Sequence, residues 1–395
     1  MTIRAAAASL LARGETRILF PSLCEDARAA FGVIADLGAR VETCEDRIRV
    51  EGGLNIRSPV LDCGESGLCL RLFTPIAALS DRPVQLTGRG TLLTRPMAMM
   101  NQPLAELGVH IQTDNGKPPV SVRGPLRAGK ITVDASVTSQ FLSGLLMSLP
   151  LGDGDSELQV PVLNSRPYVE MTLGILREFN VRVDSDFELR YLSIPGKQTY
   201  RPKCYSVEGD WSGAAFFMVA GALAGKIIIS GLKISSAQAD RRIIEALKAA
   251  GARLVFGDEE VTVENNCLRP FDFDATHSPD LIPALAALAA ACPGRSRIRG
   301  AGRLANKESH RARALVLELG RLGVKIGIEG DYLVIEGQPF PGGSVNSHSD
   351  HRIAMACAVA GLVSRNGVRI NGWSSVSKSY PGFFEDLKAV GGKIR

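Results

Sequence analysis

The sequence predicts an α/β protein of two domains, each assembled from three copies of one unit. Three observations carry that prediction. A helix-like stretch closed by Gly or Asn recurs, with its turn residue at Gly38, Gly108, Asn180, Gly251, Gly323 and Gly391, about 70 residues apart each time. Gly or Asn just past a helix is the usual left-handed stop, and a fixed interval of this kind marks an internal repeat. Between successive copies lies a second helix that is apolar nearly all round, which places it in a core. The length, 395 residues, also exceeds what one core ordinarily holds.

The elements follow in order. The buried helices are expected at 2–12, 67–79, 139–149, 212–224, 279–291 and 351–363. A short strand follows each, at 17–20, 84–87, 157–160, 226–230, 297–300 and 368–371. A surface helix and two strands complete each unit over 27–53, 100–124, 172–196, 243–265 and 315–337; the sixth copy, 383–395, lacks a closing strand. The boundary between domains 1–206 and 207–395 is expected near Ser206, where the third copy has ended.

Composition narrows the function. With 45% hydrophobic and 22% charged residues the chain reads as globular and soluble. A net charge of +5 is too mild and dispersed to argue for nucleic acid, but suits small anionic substrates. The eight cysteines form no C-x-x-C pair and no His cluster accompanies them, so they read as reduced, mostly buried thiols without a zinc site. The apolar runs are too short to span a bilayer, and the start lacks a signal-peptide layout, which favours the cytoplasm and excludes a membrane partner.

Five lead-ins to the buried helices are rich in Ser, Thr, Asp and Gly: 62–67, 134–140, 208–212, 274–280 and 346–350. Such residues cap helix N-termini, where backbone N–H groups can also receive anions. Repeated units should bring these loops to one region. The stretch 303–311 adds Lys307, Glu308 and Arg311 within about one helical turn. On a helix, Lys307 and Arg311 share a face. Two like charges that close repel unless an anion lies between them, so the stretch suggests a pocket for a small anion with Glu308 as a proton carrier.

Lys307-Glu-Ser-His-Arg311, Ser349-Asp-His-Arg352, Ser139-Gln140-Phe141-Leu142, Ser165-Arg-Pro-Tyr168 and Lys378-Ser-Tyr-Pro-Gly-Phe-Phe384 together resemble the EPSP synthase family of enolpyruvyl transferases, in order along essentially the whole chain. The resemblance implies two domains, each of three βαβαββ units, arranged as an inside-out α/β barrel with the active site in the interdomain cleft. It implies a transferase of the shikimate pathway in aromatic amino acid biosynthesis, in which the 5-hydroxyl of shikimate 3-phosphate attacks C2 of phosphoenolpyruvate and phosphate is eliminated. These two substrates are the partners it implies, with no metal or organic cofactor and a hinged monomer.

The resemblance also assigns roles. Asp280 matches the aspartate that orients or deprotonates the hydroxyl, Glu308 the proton donor and Lys307 the lysine beside it. A carboxylate acting as an acid near neutral pH needs a raised pKa, which loss of water supplies. Arg311 and Arg352 match the pair that grips the enolpyruvate carboxylate, as a guanidinium fork suits a planar carboxylate. Lys378 and Gln140 match contacts to its phosphate, and Gly67 the glycine beside it. For shikimate 3-phosphate, Arg4 matches the arginine on the ring carboxylate, while Thr138, Ser139 and Ser165 match the 3-phosphate hydroxyls, with Tyr168 close by. Arg71 and Arg95 read as structural, Trp211 and Trp373 as packing, and His351 as a packed or capping residue.

Two departures stand against the family pattern. A strand and a Lys-Ser pair expected before the arginine matched by Arg4 would fall before Met1, so a segment upstream is expected to supply them. Otherwise the chain would be a weak or non-catalytic relative that binds shikimate phosphate. The family's phosphate-binding arginine falls at Thr91 by the spacing used here, and Arg89, two residues away, is assigned in its place. The related transfer to UDP-N-acetylglucosamine is the alternative within the class; it uses a loop cysteine, and 89–95 contains none.

Overall fold

The computed structural model describes residues 1–257 and 260–395. The chain divides into two compact units, Met1–Val207 and Glu208–Arg395. Each is a set of β-sheets laid over buried helices, and each has its own apolar core.

In the first unit the helices are α1 (Thr2–Leu11), α2 (Glu25–Asp36), α3 (Gly67–Ala77), α4 (Asn101–Glu106), α5 (Gln140–Ser148) and α6 (Arg166–Glu178). In the second they are α7 (Trp211–Ala224), α8 (Ile243–Ala249), α9 (Ile282–Ala291), α10 (Arg311–Arg321), α11 (His351–Gly361) and α12 (Phe383–Ala389). The odd-numbered members α1, α3, α5, α7, α9 and α11 are the apolar helices, and the surface helix α10 carries the buried Arg311 discussed below. In α9, Ile-Pro-Ala-Leu-Ala-Ala-Leu-Ala-Ala-Ala offers no polar face, and every residue from Ile282 to Ala290 is buried. Within the second unit α7, α9 and α11 pack on one another; within the first, α3 packs between α1 and α5.

The sheets repeat one pattern. The strand before a buried helix pairs in parallel with the strand after it, as Val60–Asp62 does with Val84–Thr87 and Asp272–Asp274 with Gly294–Arg299. The hairpin after a surface helix then joins in antiparallel fashion, as Tyr332–Gly337 does on Gly294–Arg299. Cys204–Ser206 pairs in parallel with Gly14–Leu19, so the last strand of the first unit closes on its first. In the second unit Lys226–Ser230 belongs to a three-stranded sheet, and Gly343–Asn346 pairs with Val368–Asn371. This register puts the lead-in loops of one unit at the carboxyl ends of its parallel strands, where open α/β sheets place ligands.

All six turn residues read from the repeat carry positive φ, from 62° at Asn180 to 122° at Gly38. Among the lead-ins, Ser66, Asp210 and Asp350 accept backbone N–H groups at the starts of α3, α7 and α11. All eight cysteines are free; Cys204 and Cys267 are exposed, Cys44 is half-buried, and the other five are buried. Among the described residues no helix is long and apolar enough to cross a membrane.

One local expectation is corrected. Lys307 and Glu308 are not on a helix: 305–309 is turn and bend, and α10 begins at Arg311 with His310 as its N-cap. Helix hydrogen bonding yields there to tertiary contacts, because the Ser309 hydroxyl donates to Asp350 at 3.0 Å and Glu308 accepts from Arg311.

Candidate functional site

The second unit gathers most of its expected site residues around one largely buried carboxylate. Asp280 lies in the turn Pro279–Leu281 that opens into α9. Its Oδ1 accepts from Lys307 Nζ at 3.0 Å and from Arg311 Nη1 at 3.0 Å. Arg352, the second residue of α11, donates through Nη1 to the Asp280 main-chain carbonyl at 3.0 Å and brings Nη2 to 3.6 Å from Oδ2. The anion that must lie between Lys307 and Arg311 is thus Asp280. Burial alone would raise its pKa; the charges of Arg352, Lys307 and Arg311 outweigh burial and hold the carboxyl far below the usual carboxylate range.

Arg311 is the hub of the cluster, with a side chain only 1% exposed. Its Nε and Nη2 reach the two oxygens of Asp350 at 2.9 and 3.1 Å, and Nη2 also donates to Glu308 Oε2 at 2.5 Å. Burial works to strip its proton, yet Asp350, Glu308 and Asp280 together hold its pKa above the ordinary arginine value. Burial likewise opposes the charge of Asp350, and Arg311 overcomes it, so Asp350 stays below its ordinary value. Lys378, at the end of the turn Trp373–Lys378, brings Nζ to 3.7 Å from Glu308 Oε1. The cations Lys307, Arg311, Arg352 and Lys378 therefore face the carboxylates Asp280, Glu308 and Asp350 in one cluster. Lys307 and Arg311 hold carboxylate oxygens in hydrogen-bond geometry, the arrangement that a bound carboxylate or phosphate also needs, while Arg352 and Lys378 stand 3.6 and 3.7 Å from theirs.

Behind Arg352 stands a carboxyl that sequence reading missed. Arg352 Nη2 donates to the Ser212 hydroxyl at 2.6 Å, and that hydroxyl donates to Asp240 Oδ2 at 2.5 Å. Burial, followed by the charge of Asp280, pushes Asp240 up to about 7. His351 is buried and pushed down to about 3 by that burial, so its ring is neutral and serves packing.

The first unit forms its own polar group. Gly67 opens α3, and a Cβ there would lie 2.7 Å from Arg95 Nη1 and 3.2 Å from Arg71 Nη1, so a side chain would displace the ends of those two arginines. Arg71 Nη1 donates to Gln140 Oε1 at 2.8 Å, and its Nη2 to the Pro96 carbonyl at 3.0 Å. Gly67, Gln140, Arg71 and Arg95 are thus neighbours. Arg89 is not among them: its side chain is 65% exposed and lies 3.6 Å from Asp62. Arg95 is 7% exposed, and the burial of a guanidinium beside a glycine is the signal that points to it. The spacing within 89–95 alone does not separate the two arginines.

Of the residues expected to hold shikimate 3-phosphate, Arg4 on α1 is buried against α6, donating from Nε to Thr172 Oγ1 at 2.9 Å and from Nη2 to the Tyr168 carbonyl at 3.2 Å. Its burial lowers its pKa to about 10, still well above neutrality. Ser165 precedes α6 in the left-handed region at φ 63°, an uncommon conformation for serine that accompanies functional loops. Ser139 is buried at the start of α5, and the Thr138 hydroxyl accepts from the Gln140 N–H at 3.2 Å. Among the described residues no group of three or more His, Cys, Asp or Glu could hold a metal ion.

Residues 1–387 match the family of EPSP synthase (3-phosphoshikimate 1-carboxyvinyltransferase). A 3-phosphoshikimate 1-carboxyvinyltransferase of Methanocorpusculum labreanum is 38% identical over 401 residues, spanning 100% of this chain and 94% of that protein. One from Aeropyrum pernix is 40% identical over 389 residues, spanning 98% of this chain and 90% of its own length. The structure of EPSP synthase from Acinetobacter baumannii matches with a TM-score of 0.85 at 28% identity, covering 100% of this chain and 94% of that one. The repeated units, the Asp280-centred cluster and full-length similarity agree: the chain belongs to the EPSP synthase family.

Proposed function

We propose that the chain transfers the enolpyruvyl group of phosphoenolpyruvate to the 5-hydroxyl of shikimate 3-phosphate, giving 5-enolpyruvylshikimate 3-phosphate and inorganic phosphate. The observation that carries this reading is the cluster of Lys307, Arg311, Arg352 and Lys378 on Asp280, Glu308 and Asp350. The reaction needs an acid for C3, an acceptor for the hydroxyl proton, and cations for a carboxylate and two phosphates.

Arg311 and Arg352 take the enolpyruvate carboxylate, which draws Arg311 away from Glu308; Glu308 takes up a proton from solvent before transfer and then delivers it to C3. Asp280 receives the 5-hydroxyl as hydrogen-bond acceptor. While three cations touch it, its lowered pKa makes it a weak base, so orienting the hydroxyl is its first task. It becomes more basic as substrate anions draw those cations away. Lys307 serves both Asp280 and shikimate 3-phosphate. Gln140 and Lys378 take the phosphate of phosphoenolpyruvate, and the geometry around Gly67 supports Arg95 for that role in place of Arg89. Arg4, Thr138, Ser139, Ser165 and Tyr168 hold shikimate 3-phosphate. The chain acts as a cytoplasmic monomer.

Phosphate release from the two substrates, with the organic product identified by NMR, tests the proposal. Stoichiometric 5-enolpyruvylshikimate 3-phosphate is expected. Binding of shikimate 3-phosphate without turnover, or enolpyruvyl transfer to UDP-N-acetylglucosamine, would refute it.

A further inference from the structure

α10 carries a second buried charge besides Arg311. Glu318 lies seven residues along, close to two turns, and therefore near the same face. Its side chain is 0% exposed. A carboxylate in that position is tolerated only if its oxygens are occupied. They accept the Asn346 N–H at 2.9 Å and Arg321 Nη1 at 2.9 and 3.1 Å, and one meets His348 Nε2 at 2.6 Å.

Arg321 belongs to α10 itself, but Asn346 and His348 belong to the loop that carries Asp350 into α11. That loop is held in an unfavourable shape: His348 and Ser349 are consecutive non-glycine residues at φ 54° and 55°. Such a conformation persists where its surroundings over-determine it. α10 grips the loop at both ends, through Arg311 on Asp350 and through Glu318 on Asn346 and His348. Burial, and then the charge of Glu318, pushes the Cys357 thiol of α11 up to about 12, which places Glu318 beside that helix too.

We propose that Glu318 is a positioning residue, holding loop 346–350 in the shape that lets Asp350 aim Arg311 and sets Arg352 at the start of α11. This rests on the reading of Arg311 and Arg352 as the carboxylate-binding pair. Two variants of the full chain test it. Glu318→Gln keeps the shape and an acceptor for Asn346 but loses the charge. His348→Ala removes the loop's partner while Glu318 keeps Asn346 and Arg321. Glu329→Gln, at an exposed ion pair with Arg295, is the control.

Hydrogen exchange over 343–353 reads the loop without requiring turnover, and steady-state kinetics reads the site. Both variants are expected to speed exchange there about 10-fold. The KM for phosphoenolpyruvate should rise about 5–10-fold while that for shikimate 3-phosphate stays within about twofold, with the control unmoved. Unchanged exchange in both variants overturns the proposal. So does faster exchange with both KM values unmoved or raised alike, which is what a merely structural role gives. If the unsubstituted chain fails to turn over the two substrates, the enolpyruvyl-transfer reading falls, and exchange alone still decides whether Glu318 holds the loop.

Discussion

Asp280 keeps three cations within reach of one another. Without its charge, Lys307, Arg311 and Arg352 would repel, and the geometry that awaits an anion would relax. Glu308 has a different environment, set against Arg311 and Lys378. Glu308→Gln retains the hydrogen bonding but carries no transferable proton, so kcat is expected to fall about 100-fold or more while the KM for shikimate 3-phosphate holds. A kcat within about threefold of the parent would remove Glu308 from proton transfer. Arg95 and Arg89 can be separated the same way. Arg95→Ala is expected to raise the KM for phosphoenolpyruvate about 10-fold or more, and Arg89→Ala to leave it within about twofold. The reverse order would restore Arg89. At this scale the sequence shows which side chains have the right chemistry but not which are buried. Arg95 read as structural and Asp240 passed unnoticed, because a buried guanidinium or carboxyl reads like any surface charge until its neighbours are known.

Elements position these residues through close approach. Gly144 in α5 faces α3, and a Cβ there would lie 2.6 Å from the Leu72 carbonyl oxygen and 3.0 Å from that of Arg71. Backbone oxygens cannot step aside as a flexible side chain can. Gly144→Ala is therefore expected to destabilise the chain by about 1–3 kcal/mol, seen as a lower urea midpoint; an unchanged midpoint would mean that the helices can separate freely. Asp240, Ser212 and Arg352 link the turn Ala239–Arg242, α7 and α11. The Asp240 pKa is raised from 3.8 to about 7, so the fold favours its protonated form. That contribution to stability is complete below about pH 4 and is lost as pH rises through about 7. Asp240→Asn stays neutral, so its Tm relative to the parent should improve from pH 4 to about pH 8; a constant difference contradicts the raised value. Helices and strands were legible here because apolar runs and Gly stops are local signals. The stretch 305–310 was not, because Ser309 and Glu308 are claimed by partners distant in sequence or beyond the turn.

At the scale of the whole chain, the repeat was the most legible feature, since each copy must bury one helix and stop another at a fixed interval. Spacing grouped Lys307, Glu308 and Arg311, and the repeat brought the loop that ends at Asp280 toward the one before α11; that Arg352 and Lys378 join them was foreseen only by resemblance. Spacing cannot show that Asp280 sits between two cations or that Arg311 is inaccessible to water. The most direct measurement is a crystal structure of the Glu308→Gln variant with shikimate 3-phosphate and phosphoenolpyruvate bound. The account predicts that Arg311 and Arg352 turn part of their hydrogen bonding to the enolpyruvate carboxylate, and that Asp280 accepts the 5-hydroxyl. A complex in which both reactants are bound away from an unaltered Asp280–Lys307–Arg311–Arg352 cluster would contradict it.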